Sequence, residues 1–278
     1  MSEGWILDAH LRSGSDLVTV WVKEDSGAVS EHSFRWSPVI HVSGRPESLH
    51  ELEVFLTGSV CRSLFGTVSI AKERRLISHG CDDPVEVLSI GVPRASSLTS
   101  IARAIADRGG WEEYEVFSVD PKPAQRFLYD MGTHPFGRVR IEGGMMVPLD
   151  SRTDGGWVVP EVKVAFLSFD LGDVASGGCI RSVTISEGES GGLRIQMTDG
   201  RSVESFVSEV ERAMQWIDPD IVVTEGGDTM GLPALISMAS SAGVEVRLGR
   251  EKRGIVVRRD AVTTWSYGRV VRSEAYHA

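Results

Sequence analysis

Four carboxylates follow two predicted strands and could together bind divalent metal ions. Asp170 ends an apolar segment at residues 162–170, and Asp173 comes three residues later. Glu225 and Asp228 follow a second apolar segment, residues 221–223. Carboxylate oxygens are preferred ligands of Mg²⁺, and two such ions can hydrolyse a phosphodiester. One interpretation therefore assembles these four acids into a divalent-metal nuclease site.

The spacing of these acids weakens that interpretation. Side chains alternate along a strand, so Asp170 and position 172 share a side, where Gly172 has no ligand to offer, and Asp173 points the other way. A single exposed Asp binds Mg²⁺ poorly, because the ion gives up its hydration water reluctantly. We therefore expect no catalytic residue, no metal and no cofactor, with Asp170 a remnant or a cap. Mg²⁺ or Mn²⁺ is expected only if the altered four-acid site exists.

Residues 217–235 form the segment around which the second half is organised. The pattern predicts a helix end, a short strand at 221–223 in the centre of a parallel or mixed sheet, a turn at Gly226 and Gly227, and a new helix. Asp228 or Thr229 could cap that helix, which would end near Gly243. A strand that runs into a helix through such a turn is where α/β folds place ligands.

The remaining elements of the second half follow from hydrophobic periodicity. Strands are predicted at residues 162–170, 180–186 and 193–197, followed by an amphipathic helix at 203–217 and, after the turn, a final strand at 244–248. This succession predicts a partial ribonuclease H-like domain over residues 161–278.

The first half reads as a small α+β domain over residues 1–142. The order strand, helix, strand, strand, helix, strand is typical of a split βαβ fold. We expect one strand at residues 34–42, interrupted at Pro38, and a helix at 97–108 that ends at Gly109 and Gly110. Residues 143–160 are rich in Gly, Asp, Ser and Pro and are the predicted linker. The overall fold class expected is α/β (α+β).

Composition narrows the classes of protein that this chain can represent. Its 278 residues include 41% hydrophobic and 24% charged ones, with no segment suited to a membrane span and no signal peptide. Cys61, Cys81 and Cys179 are odd in number and lack ligand spacing, which favours a reducing cytoplasm and no structural zinc. The seven histidines are likewise scattered.

The formal net charge of −10 argues against a surface that coats nucleic acid, but one segment is locally basic. Residues 245–272 hold eight basic residues against three acidic ones. The segment is either a solvated hairpin or a surface for phosphates. Trp265 and Tyr267 could stack on bases or belong to a core. The candidate nucleic-acid-binding residues of the chain are Arg126, Arg250, Lys252, Arg253, Arg258, Arg259, Trp265, Tyr267 and Arg269.

The turn at residues 225–235 resembles the second exonuclease motif of family B DNA polymerases, which has the form Y-N-G-D-S-F-D-x-P-Y-L. Asp228, Pro233 and Leu235 match it. Among the positions that differ, Glu225 replaces the tyrosine, Gly226 the asparagine, Met230 the phenylalanine and Gly231 the metal-binding aspartate. The first motif, Asp-x-Glu, resembles Asp170-Leu171-Gly172 with its glutamate lost. The third motif would lie beyond residue 278.

Residues 120–132 are similar to a segment of archaeal family B polymerases that reads roughly D-I-P-x-A-x-R-Y-L. The match rests on Pro123, Ala124, Arg126, Phe127 and Leu128. In that family the matching arginine lies near a pocket that inspects template bases for deamination. For Arg126 itself, a local ion pair on a helix surface is the expected role.

The resemblance covers nearly the whole chain and implies an N-terminal domain followed by a degenerate 3′–5′ exonuclease-like domain. The family's nucleotidyl-transfer acids lie in a palm domain further along, so these 278 residues are expected neither to polymerise nor to proofread. The implied role in DNA replication is binding of single-stranded or primer-template DNA and scaffolding for a polymerase catalytic subunit. Two alternatives stay open: an active exonuclease with an altered acidic site, and a protein-interaction module without nucleic-acid contact.

Overall fold

The computed structural model describes most of the chain and divides it into two compact units, Met1–Pro160 and Glu161–Ala278. Described residues are 2–12, 16–78, 80, 82–151, 153–156, 158, 160–172, 179–188, 191–251, 253–266 and 269–277, and for 110, 111, 228 and 256–277 the description is of the backbone. Among these residues no helix has the length and apolar character needed to cross a bilayer.

The first unit contains nine strands and four α-helices among its described residues. In chain order they are β1 Ser2–Leu11, β2 Leu17–Glu24, β3 Val29–Arg35, β4 Val39–Gly44, α1 Pro46–Thr57, α2 Ser59–Phe65, β5 Ser69–Arg75, β6 Val85–Gly91, α3 Leu98–Glu113, β7 Tyr114–Phe117, α4 Pro123–Asp130, β8 Arg138–Glu142 and β9 Met145–Pro148. The strands form two sheets, ordered β3-β2-β1-β8-β9 and β5-β6-β4-β7. Every pairing in both sheets is antiparallel.

The segment predicted as one strand at residues 34–42 is two strands in different sheets. β3 pairs with β2, whereas β4 pairs with β6 and β7. The break falls at Pro38, which has no N–H to donate to a ladder. The prediction of a single bent strand was therefore wrong, although Pro38 was the right place for the interruption.

Each sheet of the first unit has its own apolar core. Helix α4 covers the five-stranded sheet with Phe127, whose ring packs near those of Phe34 and Trp36 at centroid distances of 5.8 and 6.0 Å. Helices α1 and α3 cover the four-stranded sheet through residues such as Leu52 and Ile105. The predicted linker begins inside the first of these sheets, because β9 lies within residues 143–160 and pairs with β8.

Helix α3 continues past the two glycines that were expected to end it. It runs to Glu113, and the reason is local packing. A β-carbon at Gly109 would lie 2.5 Å from Cε2 of Tyr114, so the glycine leaves room for the ring of this first residue of β7 to pack against the helix. Tyr114 is buried and its hydroxyl donates to the carbonyl oxygen of Ser48 at 3.0 Å.

The second unit contains six strands and two α-helices among its described residues. They are β10 Val164–Leu171, β11 Ile180–Glu187, β12 Leu193–Gln196, α5 Val203–Ile217, β13 Ile221–Thr224, α6 Leu232–Ser241, β14 Val256–Ser266 and β15 Arg269–His277. The main sheet has the order β12-β11-β10-β13, in which only β13 runs parallel to its neighbour β10. The predicted mixed sheet is present, but β13 is an edge strand and not a central one.

One face of this sheet packs against the two helices. Ala165 and Leu167 of β10 share a core with Phe206 of α5 and Leu235 of α6. Helix α5 begins at a capping residue, because Ser202 Oγ accepts from the N–H of Ser205 at 3.2 Å. Since side chains alternate along β10, Asp170 lies on the opposite face from this core.

Residues 244–248 do not form the predicted final strand. Val246 and Leu248 are buried against α5 and α6, so their apolar character reflects core packing. The backbone N–H of Arg247 donates to Glu211 Oε1 at 2.7 Å, and that of Ile255 donates to Val246 O at 2.9 Å. The strand prediction was wrong because burial alone does not distinguish a strand from a packed loop.

Candidate functional site

Asp170, the acid that matches the first exonuclease motif, is held by an arginine of a neighbouring strand. Its Oδ2 accepts from Arg194 Nη2 at 2.9 Å, and Arg194 Nε donates to Ser182 Oγ at 3.1 Å. Ser182 is the residue directly opposite Asp170 on β11 and is buried. Both charged side chains remain about half exposed, at 46% for Asp170 and 55% for Arg194. The carboxylate is thus already neutralised by a cation.

Position 172, where the motif has its glutamate, faces a second arginine. The N–H of Gly172 donates to Cys179 O at 2.8 Å, which brings the start of β11 against the end of β10. A β-carbon at Gly172 would lie 3.4 Å from Nε of Arg181. An acidic side chain added at 172 would therefore meet a guanidinium at once.

The turn after β13 has the shape expected of a ligand-binding bend but lacks the expected Thr229 cap. Gly226 has φ +63°, a left-handed conformation that glycine adopts without strain. A single π-helical turn, Gly227–Gly231, follows and leads directly into α6, which carries Pro233 in its first turn and ends two residues before Gly243. Gly231 occupies the cap position of α6, and Thr229 Oγ1 donates to Gly226 O at 3.2 Å, so the prediction of a Thr229 cap was wrong. The side chain of Asp228 lies outside the described residues, and an Asp228 cap stays a prediction.

Gly231 stands where the second motif has its metal-binding aspartate, and its α-carbon is covered by an aromatic ring. A β-carbon there would lie 2.2 Å from Cδ2 of Phe169. The backbone of Gly231 is ordinary right-handed helix, with φ −67° and ψ −58°, so space and not conformation excludes a side chain. The bend therefore meets β10 through Phe169, one residue before Asp170.

The described side chains contain no group of three or more His, Cys, Asp and Glu residues that could hold a metal ion. Asp173 lies outside the described residues, the side chain of Asp228 is likewise outside them, and Glu225 is exposed. The altered site made of these acids and Asp170 accordingly stays a prediction.

Arg250, predicted to bind nucleic acid, is engaged in a structural ion-pair cluster. Its Nε donates to Asp218 Oδ1 at 2.6 Å and its Nη2 to Asp220 Oδ1 at 3.0 Å. The Asp220 side chain is fully buried and also accepts from the N–H of Lys163 at 2.9 Å. Burial acts to lower the pKa of Arg250, but its bonds to Asp218 and Asp220 outweigh that and raise the pKa.

The rest of the basic segment is only partly described. Arg253 is exposed and lies 4.0 Å from Glu251 Oε2. Strands β14 and β15 form an antiparallel hairpin that contains the backbones of Arg258, Arg259, Trp265 and Arg269. Lys252 and Tyr267 lie outside the described residues. The predicted hairpin is present, and the nucleic-acid role of these side chains stays a prediction.

Arg126 makes the local ion pair that was expected for it. On α4 its Nε donates to Asp130 Oδ1 at 2.9 Å, and Asp130 Oδ2 accepts from Trp36 Nε1 at 3.0 Å. Arg126 and Asp130 border a cavity of about 600 Å³ in the first unit. Its lining residues are His41, Arg75, Leu76, Ile77, Val87, Phe117, Ser118, Asp120, Pro121, Gln125, Arg126, Tyr129 and Asp130.

His41 gives this cavity a neutral hydrogen-bonding group. Burial lowers the pKa of His41, and the positive charges of Arg75 and Arg126 lower it further, while Glu73 and Asp130 partly offset them. The Nδ1 atom lies 3.2 Å from Ser118 Oγ. Because Arg75 pairs with Glu73 and Arg126 with Asp130, the arginines at the cavity are compensated by acids.

Two residues that define the site in the second unit, Arg181 and Arg194, were not predicted from the sequence. Neither belongs to a motif, and each acquires its role through the register between strands. Arg194 on β12 lies directly opposite Thr184 on β11, and this register places its side chain beside Ser182 and Asp170. Alternation along the three predicted strands shows which side chains share a face of the sheet. It does not show which residues of neighbouring strands lie opposite each other.

The fold defines the class of protein to which this chain is similar. The structure resembles that of the family B DNA polymerase from the hyperthermophilic archaeon Pyrobaculum calidifontis, with a TM-score of 0.66 and 16% identity, over 91% of this chain and 34% of that one. The observed mixed α/β architecture is therefore one that a family B polymerase contains.

Particular relatives agree with the fold. The chain is 21% identical over 263 residues to a DNA polymerase of Pyrococcus glycovorans, and 23% identical over 264 residues to one of Pyrococcus horikoshii. Both matches cover 88% of this chain, but it spans only 30% and 19% of the length of those two proteins. No protein-family model matches the chain. The predicted resemblance to archaeal-type family B polymerases is confirmed.

Proposed function

We propose that this chain serves as the N-terminal and exonuclease-like portion of a family B DNA polymerase, where it binds template DNA and supports a polymerase catalytic half without cutting DNA. One observation carries the proposal: the acid at the first motif is paired with Arg194, while Phe169 fills the space of the acid at the second. A two-metal nuclease needs carboxylates free to bind ions at both places.

The topology supports a finer assignment of both units within this proposal. The order β5-β6-β4-β7, with helices between β4 and β5 and between β6 and β7, is that of a split βαβ sheet. In the second unit, an antiparallel meander followed by helix α5 and the parallel strand β13 has the connections of a partial ribonuclease H-like sheet.

Binding of single-stranded or primer-template DNA is the proposed role of both units. In the first unit the cavity beside Arg126 has apolar walls, a neutral histidine and paired charges, which suits a neutral planar group such as an unpaired template base. In the second unit the basic hairpin β14–β15 would contribute phosphate contacts.

A nuclease assay tests the absence of cutting. Labelled single-stranded DNA is incubated with the chain in Mg²⁺ and, separately, in Mn²⁺. We expect no shortening of the strand above that given by the Asp170→Ala variant. Degradation that Asp170→Ala abolishes would instead establish the alternative function, an active exonuclease with an altered acidic site.

A binding assay tests the contact with DNA. Affinity for single-stranded DNA is measured over a range of salt concentrations, with the Arg258→Ala/Arg259→Ala variant beside the unaltered chain. We expect affinity that falls steeply as salt rises, and a weaker affinity and shallower slope for the variant. No binding at low salt would favour the other alternative, a protein-interaction module.

A further inference from the structure

The corner of the second unit where a nuclease would hold metal ions is lined by arginines. Arg194 reaches Asp170 and Ser182 from β12, and Arg181 lies beside Gly172 at the end of β10. We call Arg181 and Arg194 the arginine pair. Both side chains are exposed, and Arg181 forms no ion pair with any other described residue.

The local charge has the opposite sign to that of a metal-free nuclease site. Two carboxylates at positions 170 and 172 would give two negative charges there before any ion binds. Among the described side chains here, Asp170 supplies one negative charge and the arginine pair supplies two positive ones, so one positive charge is left over. An exposed surplus guanidinium is a ready donor to phosphate oxygens, with a planar fork that matches their geometry.

We propose that the arginine pair replaces the two metal ions as a phosphate clamp, so that this corner binds the sugar–phosphate backbone of single-stranded DNA without metal and without cleavage. The inference rests on the proposed function and adds to it the place where the second unit holds the strand. Arg194 is anchored by Asp170 and Ser182 through one Nη and Nε, which leaves its other nitrogen for a ligand.

Asp170 has a specific role in this clamp, namely to orient Arg194 while offsetting part of its charge. This role predicts an effect opposite to that of a metal ligand. Replacing Asp170 by Asn keeps an oxygen that can accept from Arg194 but removes the competing negative charge. Phosphate binding should therefore become tighter, whereas loss of a metal ligand would make it weaker.

The test measures fluorescence anisotropy of a labelled oligothymidylate with the full chain in EDTA, so that no divalent ion contributes. We expect Arg194→Gln and Arg181→Gln each to raise Kd roughly three- to tenfold, as expected for one lost charged hydrogen bond. Each should also reduce the slope of log K against log salt by about 0.7. Asp170→Asn should lower Kd by about threefold, because it removes a carboxylate that repels the phosphate and whose effect solvent and salt only partly screen.

Matched controls separate a local effect from a change in net charge or folding. Arg212→Gln removes the same charge from the solvent-exposed surface of α5 and should leave Kd within about twofold. Arg194→Lys keeps the charge but not the fork, and should bind with intermediate Kd. Thermal unfolding of every variant identifies any that has lost its fold. If Arg194→Gln is one of these, the Kd values of Arg181→Gln and Asp170→Asn test the clamp.

Several outcomes overturn the clamp. If the unaltered chain binds DNA but the arginine variants bind equally well, the clamp is wrong and the proposed function stands. If Asp170→Asn weakens binding in EDTA, the charge argument is wrong and the clamp falls with it. If the unaltered chain binds in Mg²⁺ but not in EDTA, the corner is a metal site. If the unaltered chain does not bind single-stranded DNA at all, the proposed function fails and the clamp with it.

Discussion

The candidate sites of the two units are alike in charge, because an arginine pairs with an aspartate in each. They differ in the space that the surrounding side chains leave open. At the first-unit cavity, Arg126 is neutralised by Asp130, and at the corner of the second unit, Arg194 is neutralised by Asp170. The cavity nevertheless has a volume of about 600 Å³, whereas the place of the second-motif acid is filled by the ring of Phe169. Paired charges thus occur at both places, and the volume that is left open distinguishes them.

The largest effect is expected where space is lacking. Gly231→Asp should lower the free energy of unfolding by about 3 kcal/mol, because Phe169 and the bend must separate to admit a side chain. Urea unfolding measures this. Gly191→Asp is the control, since nothing lies within 4 Å of a β-carbon there, and it should change stability by less than about 0.5 kcal/mol. Adding Phe169→Ala to Gly231→Asp should recover part of the loss, and equal stability of Gly231→Asp and the unaltered chain would contradict the steric argument.

The next effect concerns the ion pair beside the cavity. Asp130→Ala should cost about 2 kcal/mol, because the Trp36 N–H and the Arg126 guanidinium, only 16% exposed, both lose their acceptor. Urea unfolding is again the measurement. Asp120→Ala is the matched control, an exposed acid at the same cavity, and should stay within about 0.5 kcal/mol of the unaltered chain. Equal losses in the two variants would mean that Asp130 contributes no more to stability than an exposed acid does.

The equivalent change in the second unit should have little effect on stability. Asp170→Ala is expected to alter the free energy of unfolding by at most about 0.5 kcal/mol, because Asp170 and Arg194 are both about half exposed and solvent screens them. Measured beside Asp130→Ala under the same conditions, it gives the contrast directly. A loss comparable to that of Asp130→Ala would show that the Asp170–Arg194–Ser182 contact is structural and not a surface pair.

The smallest expected effect is on the dependence of stability on pH. The folded pKa of His41 lies below its ordinary value of 6.5, mainly because of burial, so the fold favours the neutral ring. That stability is present above 6.5 and is lost as pH falls through the lower folded pKa. Chemical unfolding at a series of pH values should show a shallower decline for His41→Gln than for the unaltered chain, and identical profiles would contradict the pKa shift.

The sequence was a good guide wherever a long periodic pattern decided the structure. Helix α5 spans residues 203–217 as predicted, and strands β10, β11 and β12 lie within two residues of their predicted limits. These segments combine length, strong amphipathicity and, for α5, a capping serine at position 202. Local chemistry and packing agree in such elements, and the residues alone therefore suffice.

Predictions failed where a residue had a tertiary role that differs from its usual local one. Gly109 was taken as a helix end, but it lies within α3 and makes room for the ring of Tyr114, which packs against the helix. Val246 was assigned to a strand, but it is buried in a packed loop. The acids of the candidate site could be found from motif spacing, whereas Arg194 could not, because only the alignment of β12 on β11 brings it to Asp170.

The contact between Phe169 and Gly231 has a consequence for how this chain can change over generations. A glycine codon can become an aspartate codon by one base substitution, so an acid at position 231 is mutationally close. Such a variant would nevertheless lose folding stability before it bound any ligand, and Asp170 would still be paired with Arg194. A two-metal site at this corner would thus require simultaneous changes on separate elements, and no single substitution would supply it.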